Sequence, residues 1–159
     1  MKLKNQQVGQ AGEHYVAAEL HRRGAYAVPF SGNMPDIDIL ASDVGQTRTV
    51  TIQVKTKTAG TWHTTVLRGE PRDERADEDR FWILVDIGRN PEVPPGYWVV
   101  PEWWMVNHIH TRYQERISAL GGTRLRNPDS KHFAIIPKNV QEWRNRWDLL
   151  GILSADGHG

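Results

Sequence analysis

Hydrophobic residues follow two different spacings along the first third of the chain. Between residues 5 and 23 the apolar residues recur at the spacing of one helix face, and Gly24 supplies a stop. Three shorter segments then alternate apolar and polar residues or are rich in β-branched residues, as is typical of strands, at 26–30, 36–41 and 48–57. The pattern therefore predicts a helix followed by a meander of three strands.

The remaining two thirds of the chain predict further strands and two more helices. Strands are expected where short apolar runs stand between turn residues, at 81–87, 97–100 and 132–136. Helices are expected where apolar residues recur at helical spacing, at 102–120, before Gly121 and Gly122, and at 140–150. A charged segment with four arginines and six acids predicts a solvated loop at 68–80. Helices and strands in this order favour an α/β fold.

Composition limits the classes of function. With 159 residues, we expect one domain over 1–153 and a frayed tail at 154–159. The absence of cysteine excludes a disulfide scaffold, a Cys-ligated zinc site and a thiol nucleophile. No apolar run approaches the roughly 20 residues of a membrane span, and the first residues lack a secretory signal, so a cytoplasmic protein without a membrane partner is expected. The net charge of +1 neither demands nor excludes a nucleic-acid partner.

Polar residues with catalytic chemistry occur in the first helix and in two of the predicted strands. Alternation along the strand at 48–57 places Gln53 and Lys55 on the same face. Asp38 stands between two isoleucines, although aspartate is unfavourable inside strands. Glu13 falls on the apolar arc of the first helix. Each residue alone also fits an ordinary structural role, as part of a polar strand face, a turn or the rim of a helix.

Together these residues share one chemistry. If the two strands pair, Asp38 becomes a neighbour of Gln53 and Lys55, and a helix crossing the sheet brings Glu13 within reach. Two carboxylates and an amide oxygen are hard ligands of the kind that Mg²⁺ or Mn²⁺ takes. A lysine beside them can orient the attacking water and stabilise the charge that develops during phosphodiester hydrolysis. The set therefore favours metal-dependent hydrolysis of a phosphodiester.

The same positions resemble the PD-(D/E)xK nuclease superfamily, most closely its Holliday-junction-resolvase-like and type IV restriction-like branches, where a glutamine can replace the acid before x-Lys. The resemblance covers about residues 8–58 and lies in Gly12-Glu13, Asp38-Ile39-Leu40-Ala41 and Ile52-Gln53-Val54-Lys55. It implies a restriction-endonuclease-like α/β core (αβββαβ-type), with a mixed central sheet flanked by helices. It also implies that Mg²⁺ or Mn²⁺ is held by Glu13, Asp38 and Gln53, and that catalysis uses these three residues and Lys55.

Asp36 and Lys57 flank this set. Pro35-Asp36 spells the literal motif name, but Asp36 stands two residues too early for the pattern of an aspartate followed by two large apolar residues and alanine. We therefore expect Asp36 and Lys57 in supporting or phosphate-contacting positions. Because Gln53 is neutral, it brings one less negative charge to a metal, and the affinity for the metal is expected to be lower than at an acid-containing site.

The resemblance implies a metal-dependent DNA endonuclease that acts on duplex or branched DNA. A homodimer would provide two active sites for the two strands. Two alternatives stay open, a nucleic-acid-binding module of the same fold that has lost catalysis and a protein-interaction domain. Basic residues of the second half form either a phosphate-contacting surface or a solvated face: Arg112, Arg116, Arg124, Arg126, Lys131 and Lys138. His108 and His110 do not favour a zinc site, because they lack a third ligand and fall on different helix faces.

Overall fold

A computed structural model describes residues 2–32, 34–119 and 130–154 of the chain. The helices and strands of these residues follow the order α1 (Asn5–Arg22), β1 (Tyr26–Pro29), β2 (Ile39–Ser42), β3 (Thr49–Lys57), β4 (Trp62–Thr65), β5 (Arg80–Asp86), β6 (Gly96–Pro101), α2 (Glu102–Ala119) and β7 (His132–Ile135). Short 3₁₀ helices lie at Val66–Arg68, Pro137–Trp143 and Trp147–Leu150.

Five strands form the central sheet in the order β1-β2-β3-β5-β6, while β4 and β7 form a small sheet of their own. The pairs β1–β2 and β2–β3 are antiparallel, which is the meander that the alternating pattern predicts. Strands β3 and β5 are parallel, in register from Thr51 beside Arg80 to Lys57 beside Asp86. Strand β6 returns antiparallel to β5. The sheet is therefore mixed, with a parallel pair near its centre.

Alternation along β3 and β5 separates two hydrophobic clusters on the two faces of the sheet. On one face, α1 packs the buried side chains of Val16 and Leu20 into a cluster that contains Ile52. On the other face, the buried side chains of Trp82 and Leu84 belong to a cluster formed with α2 and the β4–β7 sheet. Helices therefore flank a mixed central sheet, and the predicted fold class is confirmed.

The connection from β3 to its parallel neighbour β5 contains β4 and a single 3₁₀ turn, with no α-helix anywhere in its described residues 58–79. The charged part of this connection is largely exposed, but its start is tied to α2. The N–H of Arg72 donates to Asn107 Oδ1 at 2.8 Å, and Asn107 Nδ2 donates to the carbonyl of Arg72 at 2.6 Å. The predicted solvated loop is thus anchored to α2 through its first half.

Two predicted elements differ from the structure for the same backbone reason. Strand β2 begins at Ile39, because Asp36 has a φ of 67°, in the left-handed region that breaks an extended chain. The predicted α-helix at 140–150 is wrong, since Asn145 has a φ of 53° and divides the segment into two 3₁₀ helices. Its apolar spacing nevertheless identified buried residues, Trp143 and Trp147 among them.

Some predictions fall on residues outside the described part of the chain. These are the stop at Gly121 and Gly122, the basic residues Arg124 and Arg126, and nearly all of the predicted tail. The single-domain assignment stays a prediction. Among the described residues, no helix combines the length and the apolar character needed to cross a membrane.

Candidate active site

Asp38 is anchored to β3 by hydrogen bonds on both sides of Gln53. The backbone N–H of Asp38 donates to the carbonyl of Ile52 at 2.9 Å, and its Oδ2 accepts from the N–H of Val54 at 2.7 Å. The paired region of β2 begins one residue later, with Ile39 opposite Ile52. The Asp38 carboxylate is therefore held beside Gln53 at the first residue before β2.

Gln53 and Lys55 lie on the face of β3 that alternation predicts. The register places Gln53 beside Trp82 and Lys55 beside Leu84. Trp82 and Leu84 are buried residues of β5. Burial lowers the pKa of Lys55, and the negative charge of Asp38 partly offsets this effect by favouring the ammonium form. The lysine is thus partly desolvated and within the electrostatic reach of the aspartate.

Glu13 reaches the site because α1 approaches β3 very closely at the preceding residue. A Cβ atom on Gly12 would lie 1.8 Å from Thr56 Oγ1, so any larger residue there would push the helix away from the strand. Burial raises the pKa of the Glu13 carboxyl, and the charge of Asp38 raises it further. The two carboxylates are therefore close enough to repel each other, a cost that a bound cation would relieve.

Arg68 enters the same site from the 3₁₀ turn after β4. Its Nη2 donates to Oε1 of Gln53, and its Nη1 forms an ion pair with Asp36 at 2.7 Å. The guanidinium carbon lies 5.4 Å from the ring centroid of Trp82, within the range of a cation–π interaction. The sequence did not single out Arg68, because it stands in the charged segment 68–80 and its spacing does not distinguish it from the other arginines there.

The two flanking residues have different surroundings. Asp36 joins the site through Arg68, with its left-handed backbone at the turn before β2. Lys57 is only 9% exposed, forms an ion pair with Asp86, and its Nζ lies 4.7 Å from the ring centroid of Trp62. A phosphate contact by Lys57 would therefore require the pair with Asp86 to open.

The donor set suits a divalent cation in part. Glu13 and Asp38 offer two carboxylates whose mutual repulsion a cation would reduce. The oxygen of Gln53 accepts a hydrogen bond from Arg68, which uses one of its two lone pairs and sets a positive charge beside it, so it becomes a better metal ligand when Arg68 moves. Within the ranges that the structure describes, no group of three or more His, Cys, Asp or Glu side chains is arranged to hold a metal ion. The residues present thus fit a site of two carboxylates and one amide.

His63, His108 and His132 have partners of their own outside this site. His108 stacks on Trp104 with ring centroids 4.7 Å apart, and burial lowers the pKa of its imidazole. The pairing of β4 with β7 brings together two exposed histidines, His63 and His132. The distance from His63 Nδ1 to His132 Nε2 is 2.6 Å. No sequence pattern predicts that second pair, because 69 positions separate its members.

Comparison with solved structures finds a similar fold in a known protein. The chain is similar to a bacterial homing endonuclease, I-Ssp6803I, with a TM-score of 0.52 and 12% sequence identity over 94% of each chain. The fold is nuclease-like. At this identity the likeness concerns the fold alone. No protein-family model matches the sequence, and no curated protein is significantly similar to it.

Proposed function

We propose that the protein is a metal-dependent DNA endonuclease that hydrolyses phosphodiester bonds by a PD-(D/E)xK-type mechanism. The observation that carries the proposal is the set of neighbours around Asp38. Its carboxylate accepts from the N–H of Val54, which stands between Gln53 and Lys55, and its charge acts on Glu13 and on Lys55. The nuclease-like fold supports it independently, because the fold comparison does not depend on these four side chains.

Glu13 and Asp38 would hold Mg²⁺ or Mn²⁺, and Gln53 would join them through its amide oxygen, most readily once the charge of Arg68 has moved away. When bound, such a cation supplies Lewis-acid polarisation of a phosphate ester. Asp38 is fixed for this role by the hydrogen bond from the N–H of Val54, which leaves its second carboxylate oxygen for a ligand. Glu13 is fixed through the close contact of Gly12 with β3.

Lys55 acts on the attacking water and on the negative charge that builds up on the phosphate. Its surroundings are partly desolvated, and a positive charge is more effective on a nearby developing charge where water is excluded. The lowered pKa also lets the ammonium exchange a proton with the water more readily than an exposed lysine would. DNA, duplex or branched, is the proposed substrate, and a homodimer would present a second site to the second strand.

A DNA-binding module that keeps this fold without catalysis is the second candidate. The hydrogen bond between Arg68 and Gln53 favours it, because this bond occupies the neutral oxygen that stands where an acid would add charge to a metal site. In this case Lys55 and Arg68 would attract phosphates, and no bond would be cut.

The experiment that separates the two candidates is a cleavage assay on supercoiled plasmid, linear duplex, a four-way junction and single-stranded DNA. We expect cutting with Mg²⁺ or Mn²⁺, binding without turnover in Ca²⁺, and no cutting in excess EDTA. Asp38→Asn is the matched control, since it keeps the size of the side chain and removes the charge from the metal site. Cutting that persists in EDTA would rule out this mechanism, whereas binding without cutting on every substrate would favour the binding module.

A further inference from the structure

Arg68 carries a positive charge into the candidate site that the four motif residues do not account for. Its charge contributes to lowering the pKa of Lys55, which means that the two cations lie within electrostatic reach of each other. Like charges repel at this range, so their proximity costs free energy in the unbound protein unless nearby anions compensate. Asp36 and Asp38 supply that compensation, and a bound phosphate would add to it.

The guanidinium of Arg68 is held by its planar fork. One terminal nitrogen contacts the carboxylate of Asp36 and the other contacts the amide oxygen of Gln53, while the buried ring of Trp82 lies beneath. A lysine would not reproduce this geometry, because its ammonium is a compact point charge and lacks the planar fork of a guanidinium. The position therefore depends on the geometry that arginine provides for planar, two-point recognition of an oxyanion.

A polar groove of about 310 Å³ opens beside this guanidinium. Arg68, Arg72 and Arg80 all line it, together with Asp36 and Glu102. Arg72 is already engaged by acidic partners in its own segment, since its terminal nitrogens form ion pairs with Glu70 and Asp77. Among the groove arginines, Arg68 is thus the one that is bound directly to a residue of the proposed metal site.

We propose that Arg68 is a phosphate-binding residue of this site and that Asp36 is its positioning residue. The inference deepens the proposed function and rests on it, because the phosphate is that of a bound DNA strand. A guanidinium binds an anionic phosphate oxygen more strongly than a neutral amide oxygen, because Coulomb attraction between the two charges adds to the hydrogen bond. A phosphate oxygen therefore displaces the amide oxygen of Gln53, while the ion pair with Asp36 keeps the guanidinium in place. The exchange also frees the Gln53 oxygen.

The test is equilibrium binding of a fluorescent 24-base-pair duplex in EDTA over a series of salt concentrations. Arg68→Gln should weaken binding about tenfold and reduce the salt slope by about 0.9, the value for one lost phosphate contact. Arg68→Lys should keep most of the slope and lose part of the affinity, because it retains the charge without the fork. Arg75→Gln is the matched control, as Arg75 belongs to the same segment but pairs with Glu78 at 2.8 Å.

A double-mutant cycle tests the positioning role of Asp36. If Asp36 only repels phosphate, Asp36→Asn should strengthen binding equally with and without Arg68. If it positions Arg68, the effect of Asp36→Asn on DNA affinity should depend on Arg68. The ratio of mutant to parent affinity should be at least about threefold lower with Arg68 present than in the Arg68→Gln background. Asp36→Glu should restore part of the difference, because it restores a carboxylate for the guanidinium.

The outcomes separate this inference from the proposed function. Unchanged affinity and slope in Arg68→Gln would overturn the phosphate contact even if the wild type cuts DNA, as would an equal loss in Arg75→Gln. If the wild type binds but never cuts, and Arg68→Gln still weakens binding, the nuclease proposal fails and the phosphate contact stands. If the wild type binds no DNA, both fall. Thermal melting of each variant checks that it is folded. If Arg68→Gln does not fold, the loss of affinity in Arg68→Lys takes its place as the test.

Discussion

Lys55 and Lys57 stand two residues apart on the same strand, yet the structure gives them opposite surroundings. Lys57 is buried against Asp86 and the ring of Trp62. Lys55 lies beside Leu84, where burial lowers its pKa. The difference comes from the register of the parallel pair, which sets an aspartate beside one lysine and a leucine beside the other. One charge is neutralised by a structural partner, and the other is the one to which we assign a role in the proposed reaction.

The largest expected effect on stability distinguishes these two lysines. Lys57→Met leaves Asp86 without its buried partner and should lower the free energy of unfolding by about 3 kcal/mol. Lys55→Met removes a charge that burial already disfavours, so stability should stay the same or rise slightly. Urea melts of both variants measure the contrast. Equal losses would mean that the two lysines are both structural.

The strands of the meander are predicted directly by alternation. The period of two in 48–57 determines which residues face the core and which face the other side of the strand. The pairing of Asp38 with β3 also follows from it, given a meander. Alternation alone could not separate Lys55 from Lys57, because their surroundings depend on the register with a strand more than 20 positions away. Only the family resemblance distinguished the two lysines. The sequence could not identify Arg68 either, because its contacts with Gln53 and Asp36 form only in the folded chain and leave no local pattern in the sequence.

The approach of α1 to β3 sets how near the Glu13 carboxylate lies to Asp38. Gly12→Ala should destabilise the protein by about 1–3 kcal/mol, because the added Cβ overlaps Thr56. Gly9→Ala is the matched control in the same helix. Nothing lies within 4 Å of a Cβ at Gly9, so this variant should gain up to ~1 kcal/mol of helix propensity. Thermal melts with the opposite order of stabilities would contradict this account of how Glu13 is positioned.

A change at Gln53 tests whether the surroundings of Lys55 are those of a metal site. Gln53→Glu adds a carboxylate that can serve both Arg68 and a cation, and should raise the affinity for Mn²⁺ about tenfold. Gln53→Ala removes the oxygen and should lower that affinity. Calorimetric titration of the DNA-free protein gives both values. Identical Mn²⁺ affinities in all three proteins would place the cation elsewhere.

The smallest expected effect is a pH-dependent gain in stability from Glu13→Gln. Burial and the charge of Asp38 raise the pKa of Glu13 in the folded protein above its unfolded value. The ionised carboxylate therefore costs stability at neutral pH, and this cost disappears as the pH falls below the unfolded pKa. Glu13→Gln should raise Tm at pH 7 and leave it unchanged near pH 4. A fall in Tm at pH 7 would indicate that Glu13 is stabilised by a partner instead.

The central claim is that Lys55 acts on the reaction and contributes little to holding DNA. Single-turnover cleavage and equilibrium binding, measured on the same DNA for the wild type and Lys55→Ala, test it most directly. The account predicts a cleavage rate lower by at least ~10²-fold, on the order of 3 kcal/mol, with binding weakened by about one phosphate contact. If Lys55→Ala cuts as fast as the wild type, the active site is misassigned even if the protein is a nuclease.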